Sequence, residues 1–506
     1  MQDPKELYAN FKKYFNGDGV PVDKEKAARL CKMAADQGYV EALISYGKML
    51  LLGNGVDQDI PESVKYFKKA ADTGDAHSMF IYSDIMMGNH GIPANVEESA
   101  KYCKMAADKG DIDAMLNYGI MLDQGIGVDR DISGSARYYK MAADAGNADG
   151  MFNYANMLSR GEGVAVDLKE AARYFKLGAD QGELDCIVNY AHILYEGRGV
   201  EKDVKESVRY FKLGADQGEL DCIVNYAHIL YEGRGVEKDV KEAARYFKLG
   251  ADQGELDCIV NYAHMLLDGN GVEKDVKEAA RYFKAGAEKG DSDSCFNYAN
   301  ILFKGEGIPI NKEEACKFYK KAADQGESNA MLNYAMMLEF GLGVAADKKE
   351  AMKYLKMSAD HKNLIAIKRY ADMLFKGDGV PVNLDESARL YKSGAEMGDD
   401  DCMYTIALFL NQGIGMPANK EEAAKYCKKA ADHGHSGAKC LFAKMLRSGE
   451  GVPVNKISAA KMFQKLADEG DVEAMLCFSE MVGKGEGIVA NKEVADKYYE
   501  MASSKQ

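Results

Sequence analysis

The sequence has no tryptophan and only 8 prolines in 506 residues, so little in it forbids long stretches of regular helix. It has no apolar run near the eighteen or so residues that span a bilayer. It opens on Met1, Gln2, Asp3, Pro4 and Lys5, a polar start with none of the apolar core of a secretory leader. Its tail, Ser503-Ser504-Lys505-Gln506, is not a prenylation box, and no Asn-x-Ser/Thr acceptor occurs. These absences set the expectation of a cytoplasmic protein with no membrane attachment. Positive charge is also short, with a net charge of −15 and a pI of about 5.2. No Lys/Arg cluster stands out as the basic face of a nucleic-acid binder, so nucleic acid is not an expected partner. The acidic balance points instead, weakly, to basic protein partners.

What is abundant is glycine, at 51, and apolar residues, at 47%. That apolar content is too high for a disordered chain, and the length is too great for one ordinary core. The glycines explain both. They fall at 19, 55, 91, 127, 163, 199, 235, 271, 307, 343, 379, 415, 451 and 487, every step being 36 residues. The residue two places earlier is also glycine from Gly17 to Gly485, except at Asn89. Residues 173–206 and 209–242 are identical, the mark of a recent duplication. Periods of this size mean a stacked array.

Each unit reads as two helices. In 147–182, Met151, Tyr154, Ala155 and Leu158 form one apolar helical face, and Gly161-Glu162-Gly163 ends it. Asp167 then caps a second helix whose face is Ala171, Tyr174, Phe175 and Ala179. The capping position is Asp or Asn in all fourteen units, and Glu follows three residues later in ten, resembling a capping box. Gly182 closes the unit, and its counterpart is lost at Lys362 and, in the last unit, at Gln506. Two short helices cannot bury their apolar faces alone, so neighbours must stack. The expected fold is all-α, an α/α superhelical solenoid of about fourteen 36-residue helical hairpins over 1–506. Irregular first and last units, 3–38 and 471–506, are expected to cap the regular repeats of 39–470: Asn10 stands where later units have Tyr, and Asp496 where others mostly carry Ala or Val.

Units such as Ala330-Met331-Leu332-Asn333-Tyr334-Ala335-x-x-Leu338-x-x-Gly341-x-Gly343-Val344, followed by Glu350-Ala351-x-x-Tyr354 and Ala359, resemble Sel1-like repeats, relatives of the tetratricopeptide repeat. The resemblance runs over the whole chain, with Tyr-Ala here where the family favours Leu-Gly. It implies a superhelix that scaffolds protein complexes, with the first helix of each pair lining the concave side. It also raises two alternatives: a non-catalytic regulatory subunit of a larger assembly, and a hydrolase of the kind claimed for some secreted relatives. No Ser/His/Asp or Cys/His set rises above the repeat background, so no catalytic residue is assigned. Ser436-x-x-Lys439 and Ser458-x-x-Lys461 lack the companion motifs of a serine enzyme.

Other chemistry-bearing residues fit the repeat better than a site. The Gly-x-Gly-Val turns follow helices, unlike a dinucleotide loop, which follows a strand. The eleven cysteines include no C-x-x-C, and their odd number argues against a disulfide framework. Cys186, Cys222, Cys258 and Cys402 occupy a position that is Ala42, Ala114 or Ala330 elsewhere, and so read as small buried residues. His192, His228 and His264 recur one per unit; helices roughly 8–10 Å apart do not converge three nitrogens on one zinc, whose bonds are about 2.1 Å. No cofactor or metal is expected.

The candidate binding surface is a ladder of Asn117, Asn153, Asn189, Asn225, Asn261, Asn297 and Asn333 in seven consecutive units. By the resemblance it faces the concave groove. Asparagine offers a donor and an acceptor, enough to hold a peptide backbone without reading its sequence. One turn on lie Asn156, His192, His228, His264 and Asn300; the next turn brings Tyr195 and Tyr231 with Glu196, Glu232 and Asp268. Asp149, Asp185, Asp221, Asp257 and Asp293 stand at the near end. Such a polar, acidic, partly aromatic surface suits an extended basic peptide. The same Asp row also sits where helix dipoles favour acids. The ladder stops at Arg369, Thr405, Leu441 and Cys477.

Overall fold

A computed structural model describes residues 2–88 and 91–505. Asn89, where the paired glycine lapses, lies outside the described residues. Among the described residues there are twenty-eight α-helices, α1 (Pro4–Asn16) to α28 (Lys492–Ser503), and no strand. They form fourteen hairpins in which an odd-numbered first helix packs on an even-numbered second helix, and within α1–α14 and within α15–α28 each second helix packs on the next first helix. The chain divides into two compact units, residues 1–253 with α1–α14 and residues 254–506 with α15–α28. Each unit is an α/α solenoid of seven hairpins.

The turns are set by the residues that the repeat keeps. First helices such as α7 (Ile112–Gln124) and α9 (Ala148–Arg160) end on a left-handed glycine, Gly125 and Gly161, whose amide returns to the helix. The second glycine of the pair has a further duty. A Cβ on Gly127 would lie 2.0 Å from the carbonyl oxygen of Val96, in the preceding hairpin, whereas one on Gly19 would meet nothing within 4 Å. The repeat thus keeps glycine where one hairpin's turn lies on the backbone of the hairpin before it. Lys362 is the only described non-glycine residue with positive φ, at 61°, and it holds the unit-closing glycine position.

The capping position works in every repeat, but as half of a capping box. Asp167 accepts from the Glu170 amide at 2.9 Å, as Asp203 does from Glu206 at 3.0 Å. The reciprocal bond is replaced, because the cap's own amide already donates to the preceding first helix: Asp167 to Leu158 and Asp203 to Leu194. The Glu side chain turns outward to arginine, Arg173 on Glu170 and Arg209 on Glu206. That backbone bond fixes how the two helices of a hairpin meet.

Packing relies on alanine and tyrosine. Alanines at 0–2% exposure, such as Ala106, Ala107, Ala142 and Ala143, let helices approach closely. Inside a hairpin two rings meet edge to face: Tyr118 on Tyr138, Tyr154 on Tyr174, Tyr190 on Tyr210, Tyr226 on Tyr246, with centroids 4.8–5.2 Å apart. The second tyrosine of each pair then donates its hydroxyl to the aspartate that ends the second helix one hairpin back. These bonds are Tyr102 to Asp72 (2.6 Å), Tyr138 to Asp108 (2.6 Å), Tyr210 to Asp180 (2.8 Å) and Tyr354 to Asp324 (2.8 Å). A lysine one turn earlier joins several of these aspartates, for instance Lys104 on Asp108 and Lys140 on Asp144. Burial, which raises its carboxyl, is outweighed by those two bonds, so Asp108 ends below the usual carboxylate range. The latch cannot form where the tyrosine is replaced, at Phe318, Leu390 and Met462. All eleven cysteines are free thiols, ten of them buried, and burial pushes Cys186 up to about 12.

Candidate peptide-binding face

The Asn ladder lies on first helices, half-buried in every case. In the first unit it occupies α7, α9, α11 (Leu184–Glu196) and α13 (Leu220–Glu232), at Asn117, Asn153, Asn189 and Asn225. In the second unit it occupies α15 (Leu256–Asp268), α17 (Ser292–Lys304) and α19 (Ser328–Phe340), at Asn261, Asn297 and Asn333. The position follows from the helix period: it is the residue before the buried core tyrosine, so its Cβ is held at the core edge while its amide reaches solvent.

The carboxamides are partly engaged by their own helices. Asn189 donates to the Asp185 carbonyl at 2.7 Å, Asn225 to that of Asp221 at 2.8 Å, Asn261 to that of Asp257 at 2.8 Å, and Asn297 to that of Asp293 at 2.9 Å. The second amide hydrogen can add a bond to the carboxylate, as from Asn225 to Asp221 at 3.1 Å and Asn297 to Asp293 at 3.0 Å. Asn333 instead reaches Asn300 on the neighbouring first helix at 3.5 Å. Where the donor side is taken in this way, the ladder offers chiefly its carbonyl oxygens, which suit backbone or side-chain N–H donors.

The histidines tie successive first helices together. His192 Nε2 meets Asp221 Oδ2 at 2.7 Å, and His264 Nε2 meets Asp293 Oδ2 at 2.6 Å. Each ring also stands edge-on to a phenylalanine of its own hairpin, His192 to Phe211, His228 to Phe247 and His264 to Phe283, all 5.0 Å between centroids. The bond to Asp293 raises the His264 pKa above its ordinary value, against a smaller opposing effect of burial. Asp185, Asp221 and Asp257 are exposed, and Asp221 is shared between His192 and Asn225.

The two tyrosines already carry cations. Lys202 lies 5.2 Å from the Tyr195 ring and Lys238 lies 5.3 Å from the Tyr231 ring, while Arg234 donates to the Tyr195 hydroxyl at 3.2 Å. These faces therefore accept a basic group in the chain itself. A recess of about 250 Å³ also opens beside Asn189, walled by Asn156, Arg160, Phe175 and Arg198. Neither the His–Asp links nor the arginine recess was expected from sequence. Their partners lie 29 or more residues apart, and only the register between hairpins brings them together. Among the described residues, no group of three or more His, Cys, Asp or Glu side chains could hold a metal ion. No described helix is long and apolar enough to cross a membrane.

A family model for the Sel1 repeat matches fourteen times, from 9–39, 40–75 and 76–111 through 440–471 and 473–506. Among solved structures, the chain is similar to a protective antigen of uropathogenic Escherichia coli strains displaying an SLR fold, at 25% identity. That match covers 80% of this chain and 87% of the other, with a TM-score of 0.66. It is also similar in fold to a Sel1 repeat protein from Oxalobacter formigenes, at 22% identity over 65% of this chain and 93% of the other, with a TM-score of 0.50. A comparison with curated proteins gave no match.

Proposed function

The chain belongs to the Sel1 repeat family, and we propose that it is a scaffold that holds an extended basic segment of a partner protein across successive first helices. Repeats of this family serve as protein-interaction scaffolds, and the polar face on this chain supplies the chemistry for one class of ligand. One observation carries the reading: in four consecutive hairpins an asparagine amide is turned back on its own helix, beside an exposed aspartate. Backbone N–H groups of an extended segment would donate to the Asn189 and Asn225 oxygens on neighbouring first helices of the first unit. Lysines and arginines of the same segment would pair with Asp185 and Asp221 and take the places of Lys202 and Lys238 over Tyr195 and Tyr231. We assign the chain no catalytic role. We place its work in the cytoplasm, where eleven unpaired thiols would stay reduced.

The test is binding of arrayed basic and acidic peptides to the full chain and to a variant carrying Asn189→Ala, Asn225→Ala and Asp221→Asn. Basic peptides should be preferred, and the variant should bind them at least tenfold more weakly. Equal binding of acidic peptides, or a variant that binds basic peptides as well as the parent, would defeat the reading. Recovery of the chain in a secreted or membrane fraction would overturn the assigned compartment.

A further inference from the structure

The first-helix face is acidic, and the sequence as a whole pointed away from basic patches. The second unit corrects that expectation. Between Lys420 and Lys465 the chain carries ten lysines and arginines against four acidic residues, Glu421, Glu422, Asp432 and Glu450. Three helices hold them: α24 (Lys420–Asp432), α25 (Ser436–Ser448) and α26 (Lys456–Asp468).

Six of these ten side chains also form no ion pair among the described residues. In several second helices a lysine pairs with the aspartate four residues on, as Lys104 with Asp108 (2.5 Å), Lys140 with Asp144 (2.6 Å) and Lys320 with Asp324 (3.4 Å). Lys428 stands at that same position before Asp432, yet among the described residues no ion pair involves Lys428, Lys425, Lys429, Lys439, Lys461 or Lys465. Lys425 and Lys428 are exposed and lie three residues apart, on one face of α24.

They also border a recess of about 520 Å³, closed by Phe442, Val452 and Pro453, with Glu421 at its rim. Phe442 holds the position of the buried Tyr298 and Tyr334, but it is only half-buried, and Met462 replaces the ring that would face it. A second recess of about 700 Å³, lined by Met416, Pro417 and Lys420, shares Glu421 and Gly451 with the first. The two recesses adjoin, and the first has an apolar floor beside the unpaired Lys425 and Lys428.

We propose that this channel docks a short acidic segment of a partner protein that carries one large apolar side chain. Two of the segment's carboxylates meet Lys425 and Lys428, and its apolar side chain lies on Phe442 and Pro453. A short peptide fits better than nucleic acid. Glu421, Glu422 and Glu450 interrupt the cationic wall, and the net charge of −15 repels a long polyanion beyond the patch. The chain would then carry two surfaces of opposite preference, one in acidic first-helix rows and one confined to the second unit.

The experiment is fluorescence anisotropy with the full chain and labelled ten-residue peptides at two salt concentrations. The probes are an Asp/Glu-rich peptide with one leucine, the same peptide with serine for leucine, and single-stranded DNA of equal charge. The variants are Lys425→Glu with Lys428→Glu, and Lys425→Gln with Lys428→Gln should the charge reversal perturb the far-UV circular dichroism. We expect the leucine peptide to bind, and to lose at least tenfold in affinity both with serine and with the charge-reversed chain. Failure of the acidic peptide to bind overturns the proposal, as does equal loss by DNA and peptide. Indifference to the leucine would reduce the patch to diffuse electrostatics and also overturn it. Light scattering that shows dimers lost in the same variants would assign the channel to a second copy instead.

Discussion

Replacing Gly214 by alanine tests how tightly one hairpin is fitted to the next. Gly214 is a buried residue of α12 (Val204–Asp216), and a Cβ added there would lie 2.4 Å from Cys222 Sγ, 2.9 Å from Cys222 Cβ and 3.3 Å from Ile187 Cγ2. Cys222 and Ile187 are both 0% exposed, so neither can swing into solvent. Other repeats solve the same contact with a different pair: Ala106 with Ala114, and Ala322 with Ala330. The alanine gains about 1 kcal/mol in helix propensity and loses about 1–3 kcal/mol to overpacking. Gly214→Ala should therefore be net destabilising, by up to about 2 kcal/mol. Cys222→Ala removes the sulfur and leaves a small void, at about 1 kcal/mol. Together the two changes reproduce the Ala–Ala solution. The double variant should stand within about 1 kcal/mol of the parent, and the two changes should couple by about 1–3 kcal/mol. A single global unfolding energy is the wrong measure for fourteen stacked repeats, whose cooperativity is local. Native-state hydrogen exchange at the amides of α12 and α13 reads the opening of this contact alone. A single variant more protected than the parent, or a double variant equal to the sum of its parts, refutes the packing argument.

Three further outcomes follow from the same geometry. Tyr210→Phe removes the hydroxyl bonded to Asp180 at 2.8 Å and should weaken local protection by about 0.5–1.5 kcal/mol, read by hydrogen exchange in α10 (Leu168–Asp180) and α12; unchanged protection would show the latch to be idle. Lys362→Gly should stabilise the adjoining hairpins by about 1 kcal/mol, since glycine adopts φ of 61° without the Cβ penalty, and weaker hydrogen-exchange protection of the amides on either side would contradict this. His264 should titrate above about 6.5 by NMR and fall toward that value in Asp293→Asn. Because its folded pKa is raised, the stability it contributes is complete below the unfolded value and fades as pH rises through the folded one.

The fold was legible because each of its causes is local. The 36-residue step, the 3.6-residue apolar faces and the Asp/Asn caps lie within single units, and each reappears as a helix, a packed face or a cap. Latches between units were not legible. Tyr210 reads from sequence as a core ring, and it is one, but its hydroxyl finds Asp180 thirty residues back only when the stacking register is known. The same holds for His192 and Asp221. Asn189 read as a two-sided hydrogen-bonding group, yet Asp185 four residues earlier offers the carbonyl that takes its donor. The capping box was half right, because the cap amide's partner, Leu194 for Asp203, sits in the other helix of the hairpin. The lysine-rich channel was missed because Lys425 and Lys428 meet Phe442, Val452 and Pro453 only when α24 and the following hairpin are packed together.

The tyrosine–aspartate latch has a consequence for how such a gene can grow. Most blocks of 36 residues carry a hydroxyl for the neighbour before and a carboxylate for the neighbour after, those with Phe318, Leu390 and Met462 lacking the hydroxyl. A block that holds both, inserted by unequal recombination, arrives with both halves of the joint, whatever point in the period the crossover strikes. The identical stretches 173–206 and 209–242 show one such event, and Tyr174, Tyr210 and Tyr246 each reach the aspartate one block behind. Copy number can change in whole periods without any compensating substitution.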